Sequence, residues 1–323
     1  MRESTVQSAH FQTIPLSRID LQDDSFRITT RTDVSDLLGS IQYDGLITPP
    51  LLIKKSSAFI IVSGFRRIAA CLKLEWKEIT ARVLIPNVAA LDCLRLAIAE
   101  NALQRSLNLI ETSRCLRKLS FYIADTRHLS ESASSLGLPD NPSIIDKIKD
   151  LSLLPWPIQS SILTDTISLA MAKELESMEA DLAIAFVRLF EQLKIGLNKQ
   201  REILTMVKEI GRRDGLSSQK VMAEKRFIEI MTQRDLDRGQ KSRQLRAYLR
   251  RRRYPRIAEA EKKFDFHHKN LNLGNDIKLI PPKEFEANLY GLNLTFTSLE
   301  QLKILQTKLN RIIQLPDFKK IIE

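Results

Sequence analysis

At 323 residues the chain is longer than one hydrophobic core normally serves, so two or more domains are expected. Hydrophobic residues at 43% and charged residues at 28% are globular proportions and argue against a wholly disordered chain. A net charge of +11 favours polyanionic partners such as nucleic acid, a preference that charge alone does not decide.

In chain order, residues 13–20 (TIPLSRID) predict an opening strand, and the spacing of Val34, Leu37, Leu38 and Ile41 predicts a helix. Asp44-Gly45-Leu46 turns the chain into Pro49-Pro50, after which LLIKK and AFIIVSG read as two β-branched strands. Gly64-Phe65-Arg66-Arg67 opens a helix (IAACLKL). A strand at 79–85 and a helix from Ala89 to Gln104 complete a small mixed α/β unit.

From about Thr112 the pattern turns helical. Two short helices flank the break Gly137-Leu138-Pro139-Asp140-Asn141-Pro142, a helix-turn-helix in which Pro142 suits the first turn of the second helix. Ile144, Ile148 and Leu151 are expected in the core, leaving Ser143, Lys147 and Lys149 for DNA. Further on, Leu182, Phe186, Leu189, Phe190 and Leu193 form a stripe to be buried. No acid occurs between Arg238 and Arg256, and Arg250, Arg251, Arg252 and Arg253 between Tyr248 and Tyr254 would attract a nucleic-acid backbone. The bland alternative is a solvated helix face or a linker. Finally, strands over 275–280 and 289–296 precede a helix capped by Thr297-Ser298. Its leucines 299, 302, 305 and 309 need the strands or a second subunit to cover them.

Gly64 to Arg67 is the most informative short segment. A glycine between strand and helix lets a ligand approach the backbone, where helix N-terminal amides and two guanidiniums suit phosphate oxygens. Glu100 and Asn101 offer hard oxygen ligands suited to magnesium held together with phosphates. Taken alone, both features read equally as paired surface charges and a helix-end amide. Three scattered cysteines (Cys71, Cys93, Cys115) fit neither disulfides nor zinc and agree with a reducing cytosol. The polar start MRESTVQSAHF and the lack of a long apolar run lead us to expect a soluble chain with neither secretion signal nor membrane span.

DLLGSIQYDGLITPPLLI, IIVSGFRRIAACLKL and ENALQRSLNLIE, in that order, resemble the first, G-E-R-R and E-N-x-x-R boxes of the ParB family of partition proteins. The region 129–175 resembles that family's helix-turn-helix and the L-P segment after it, so the likeness spans roughly residues 13–178. The resemblance implies an α+β chain. A small ParB/sulfiredoxin-like nucleotide domain would occupy 1–111 and a helix-turn-helix DNA-binding domain 112–178; beyond the likeness, the residues themselves lead us to expect a helical region with the basic segment over 179–260 and an α/β module over 261–323 that only loosely resembles the family's dimerisation module. It further implies CTP held by Gly64, Arg66 and Arg67, with Arg27 as a phosphate-side arginine, and Mg2+ placed by Glu100 and Asn101. Double-stranded DNA, a homodimer, a ParA-like ATPase and a cytoplasmic, nucleoid-associated location are the implied context.

Departures from the pattern carry weight as well. Phe65 stands where the family has glutamate, which puts nucleotide hydrolysis in doubt, and Arg105 is displaced by one residue from the usual spacing. The alternatives are a helix-turn-helix regulator with a degenerate pocket or a nuclease on the same domain. A sulfiredoxin-like enzyme is set aside because no thiol occupies the glycine-basic turn.

Overall fold

The computed structural model describes residues 9–285 and 289–322, so most of the polar opening segment, residues 1–8, lies outside the described residues. Two compact units divide the chain, Met1–Glu191 and Gln192–Glu323. The architecture is α+β, as expected.

The first unit begins with β1 (Ala9–Pro15), a 3-10 turn at Leu16–Arg18 and a two-residue strand, β2 (Ile19–Asp20). The single strand expected over 13–20 is thus interrupted; Pro15 has no amide hydrogen with which to continue a ladder. There follow α1 (Ser35–Asp44), β3 (Leu51–Lys55), β4 (Ala58–Ser63), α2 (Phe65–Lys73), β5 (Glu78–Leu84) and α3 (Ala90–Gln104). The sheet order is β1-β5-β3-β4-β2. β1 runs antiparallel to β5 with Ala9 opposite Leu84, β3 is parallel to β5 and antiparallel to β4, and β2 is parallel to β4.

Phe59, Ile61, Leu52 and Val83 of the sheet share a core with Ile41 of α1 and Ile68 of α2. Every residue of β4 after Ala58 is buried, and α3 packs on this strand. Burial on both faces explains why AFIIV is a continuous apolar run rather than an alternating one.

Next comes α4 (Leu109–Tyr122), then α5 (Thr126–Ser135) and α6 (Pro142–Ile148), the two short helices expected around the break. Asn141 caps α6 by accepting from the amides of Ser143 and Ile144, and Pro142 occupies the first turn. One core expectation is corrected. Ile144 is 43% exposed, and Ile145 at 2% takes its place beside Ile148 and Leu151. On α6 the pair three apart, Ile145 and Ile148, faces inward, and Ile144 is turned about 100° from Ile145. Two further helices, α7 (Trp156–Leu163) and α8 (Leu169–Glu176), precede α9 (Ala180–Leu193). On α9 Phe186, Leu189, Phe190 and Leu193 are buried as expected, whereas Leu182 is only half-buried.

The second unit holds α10 (Leu197–Asp214), α11 (Ser218–Met222), α12 (Lys225–Thr232), α13 (Arg238–Arg253) and α14 (Pro255–Asn270). The basic segment is therefore a continuous helix, packed on α10 through the buried Leu245 and Leu249. The hairpin β6 (Ile277–Ile280) and β7 (Gly291–Leu294) then precedes α15 (Leu299–Ile313) and α16 (Pro316–Ile322). Leu305 and Ile312 of α15 are buried with Ile277, Leu279 and Ile321, but Leu299 is 67% exposed. The covered stripe thus starts later in the helix than the leucine spacing suggests, and the hairpin supplies part of its cover.

Candidate nucleotide and nucleic-acid sites

β4 ends at Ser63 and α2 begins at Phe65, so Gly64 makes the whole reversal, with φ +98° as the N-cap of α2. A Cβ there would lie 2.7 Å from the Cβ of Pro50, so the position excludes every side chain both by conformation and by space. The first-turn amides of α2 have no intrahelical acceptor and give this end of the helix a partial positive charge. Beside it lies a cavity of about 280 Å³ bounded by Thr29, Thr48, Arg67, Glu100, Asn101 and Arg105, with Arg66 also on its wall.

The two arginines are already engaged. Arg67 donates to the carbonyl of Thr48 and to Glu100 Oε1, each at 2.5 Å, which ties α2 to α3. Arg66 donates to the carbonyl of Asp33 at 2.8 and 3.0 Å and pairs with Asp36 at the start of α1. Asn101 spends its amide N–H on the carbonyl of Ala97, which leaves Oδ1 as its free oxygen. Glu100 and Asn101 thus bring two hard oxygens to one wall, a partial donor set that phosphate oxygens would complete for magnesium. Among the described residues no cluster of three or more His, Cys, Asp or Glu forms a self-sufficient metal site.

Arg27 stands next door. It lines an adjacent, larger cavity rather than this one, pairs with Asp24 at 3.2 Å, and lays its guanidinium 5.5 Å from the ring centre of Phe65. Phe65 also packs against the sheet core, so the residue in the glutamate position is an apolar partner of Arg27.

Sequence reasoning missed the group that anchors this site, Glu111. Its side chain has no exposed surface and accepts both guanidinium nitrogens of Arg105 at 2.6 Å, the Thr30 amide at 2.9 Å and the Asn108 amide at 3.1 Å. Burial pushes the carboxyl up, but the hydrogen bonds from Arg105, Thr30 and Asn108 outweigh it and hold the pKa at about 2. Arg105 lies beyond the last turn of α3 in extended backbone, φ −166°. Its direction is therefore set by Glu111 rather than by helical rotation. The legible signal was the capping box Asn108-x-x-Glu111, in which Asn108 caps α4 and Glu111 reaches back.

All three cysteines are buried, and burial pushes the Cys71 and Cys93 thiols up to about 11, so neither is a ready nucleophile.

Residues 1–102 match the family model of the ParB N-terminal domain. This stretch is similar to that domain family. The chain is 28% identical over 144 residues to a nucleoid occlusion protein of Lysinibacillus sphaericus, covering 44% of this chain and 46% of that one. It is 27% identical over 140 residues to a probable chromosome-partitioning protein ParB of Rickettsia bellii, covering 43% and 46%. The chain thus spans about half the length of these curated relatives. Among solved structures, a C-terminally truncated ParB of Caulobacter crescentus complexed with CTP-γ-S matches with 22% identity and a TM-score of 0.26, over 56% of this chain and 98% of that chain.

Beyond the ParB domain, Ser143 and Lys147 are exposed on α6, while Lys149 just past it is half-buried and paired with Asp146 at 2.7 Å. The four consecutive arginines of α13 diverge, since successive helical side chains turn by about 100°. Arg252 is held by Asp214 at 2.5 Å and Glu224 at 3.1 Å, and Arg253 by Glu209. Arg250 reaches Glu261 at 3.3 Å from an exposed position, and Arg251 is exposed with no acid partner among the described residues. No described helix is long and apolar enough to cross a membrane.

Proposed function

We propose that this chain is a nucleotide-gated DNA-binding protein of DNA partition or a related nucleoid task. The observation that carries the reading is the Gly64 bend, which presents helix amides, Arg67, Glu100 and Asn101 to one cavity inside a ParB N-terminal domain. CTP is the proposed ligand, its triphosphate taken by the α2 amides with Arg66 and Arg67, and Arg27 brought in from the adjacent wall. Magnesium would be held by Glu100 and Asn101 Oδ1, and when bound it supplies neutralisation of the phosphate charge. Binding requires Arg67 to exchange Glu100 for phosphate, which frees that carboxylate for the metal. This exchange is the proposed switch. Phe65 can neither accept a proton nor orient water, so the nucleotide is bound rather than turned over efficiently.

Duplex DNA is assigned to α6 through Ser143, Lys147 and Lys149, in a homodimer working with a ParA-like ATPase on the nucleoid. The division into 1–111, 112–178, 179–260 and 261–323 belongs to this reading. Calorimetric titration with CTP and Mg2+ tests it: the wild type binds and Arg67→Ala weakens binding at least tenfold. Absence of binding by the wild type overturns the nucleotide switch. A second reading, a DNA-binding regulator whose pocket has lost its ligand, is favoured by the internal engagement of both arginines with Asp36 and Glu100.

A further inference from the structure

A cavity larger than the one at Gly64 lies elsewhere in the first unit. A space of about 550 Å³ lies between the Asp24–Arg27 segment, one face of α4, and Ser152-Leu153 beyond α6. Its α4 wall is Arg114, Arg117, Lys118 and Phe121, a spacing of three, four and seven that sets all four on one helical face. The opposite face of α4 carries the buried Cys115, Leu116 and Leu119. Together with Arg27, four cations line the space against a single carboxylate, Asp24.

Two of those cations, Arg114 and Lys118, have no ion-pair partner among the described residues. Asp24 is occupied by Arg27, and Arg117 reaches Asp150 at 2.6 Å outside the cavity lining. Arg114 donates through Nη1 to the carbonyl of Thr29 at 2.8 Å, and Lys118 to the carbonyls of Asp24 and Ser25 at 2.8 and 2.7 Å. Carbonyls satisfy hydrogen bonds but do not cancel charge. Burial lowers the pKa of both Arg114 and Lys118; Arg27 adds repulsion at Arg114, whereas at Lys118 the attraction of Asp24 exceeds the repulsion of Arg114 without offsetting the burial. An anion placed here would relieve both effects. The rim is apolar and open, for Phe121 is 86% exposed and Leu153 60% exposed. A cationic floor with an exposed aromatic ring at its edge is the combination that binds a phosphate and stacks an unpaired base.

We infer that this cavity is a second ligand site, separate from the Gly64 pocket, that takes a phosphate-bearing nucleotide unit with its phosphate against Arg114 and Lys118 and its base against Phe121. Bases stacked in an intact duplex offer a face to Phe121 only if a step is first unstacked, at a cost of about a few kcal/mol, so the unit assigned here is a free nucleotide or part of a single strand. Arg27 forms the wall shared with the neighbouring pocket, because its guanidinium lies over Phe65. The site does not rest on CTP binding at Gly64.

The test uses the full chain and two fluorescent probes, dTMP and 5′-phosphorylated tetrathymidylate, titrated into the wild type, Arg117→Ala/Phe121→Ala and, as an exposed cation outside any proposed site, Lys77→Ala. Both replaced side chains of the double variant are substantially exposed, and thermal unfolding followed by circular dichroism checks that it folds. Binding of at least one probe to the wild type, weakened at least tenfold in the double variant and unchanged in Lys77→Ala, is the expected result. Tighter binding of tetrathymidylate by tenfold or more assigns the unit to a strand; comparable binding of dTMP assigns it to a free nucleotide. If neither probe binds, or if a folded double variant binds as the wild type does, the site does not exist.

Discussion

Arg105 and Glu111 meet through two parallel hydrogen bonds of 2.6 Å at the junction of α3 and α4, with the Glu111 side chain wholly removed from solvent. The pair joins the end of the ParB domain to the first helix beyond it, and Thr30 ties the opening loop to the same carboxylate.

Acid should weaken the first unit through this group. The folded pKa of Glu111, about 2, lies below its ordinary value of 4.5, so the ionised form stabilises the fold above that ordinary value. The contribution, on the order of 3 kcal/mol, is lost as pH falls from about 4.5 through about 2. Urea unfolding at several pH values should show the decline. Glu111→Gln should lower stability at pH 7 by roughly 3–5 kcal/mol, because Arg105 is left unpaired, and should flatten the decline.

Gly64→Ala should destabilise the first unit by about 1–3 kcal/mol, since alanine must adopt the left-handed backbone and its Cβ meets Pro50. Chemical denaturation measures that cost, and a calorimetric titration should show CTP binding weakened alongside it. Gly64→Ala with unchanged stability would contradict the geometry assigned to the bend.

The arginines of α13 should separate into two kinds. Arg251→Ala is expected to leave stability within about 0.5 kcal/mol and to reduce the slope of log affinity for DNA against log salt by about one. Arg252→Ala instead removes a side chain held by Asp214 and Glu224 and should lower the unfolding free energy of the second unit by about 1–2 kcal/mol. Salt-dependent fluorescence anisotropy and thermal unfolding read the two effects independently.

Association through the C-terminal module should depend on the apolar residues that α15 leaves outside, Leu299 at 67% and Ile304 at 68% exposure. Leu299→Lys/Ile304→Lys is expected to raise the dissociation constant of a dimer at least tenfold in sedimentation equilibrium. An unchanged dimer would move the contact elsewhere.

Much of this was legible in the order of residues. Apolar spacing located α1 and α9, the β-branched run in AFIIVSG located a strand, and glycine before Phe65-Arg66-Arg67 located the bend. These features are local, since periodicity and backbone permissiveness belong to neighbouring residues. Ile144 and Ile145 show where locality fails. Both are β-branched and adjacent, and the packing of α6 against α4 and α5 decides which one is inside.

What the sequence determined by itself is most of the strands and helices up to residue 148, the likeness to the ParB family and the presence of basic side chains near Gly64 and over 250–253. What only the tertiary structure decided is which charges find partners. Arg67 meets Glu100 across 33 positions, Arg252 meets Glu224 across 28, and Arg114 reaches Thr29 across 85. An ion pair falls off with distance in space and is indifferent to separation along the chain. A run of arginines therefore fixes the charge available, and the fold fixes how much of it remains for a ligand.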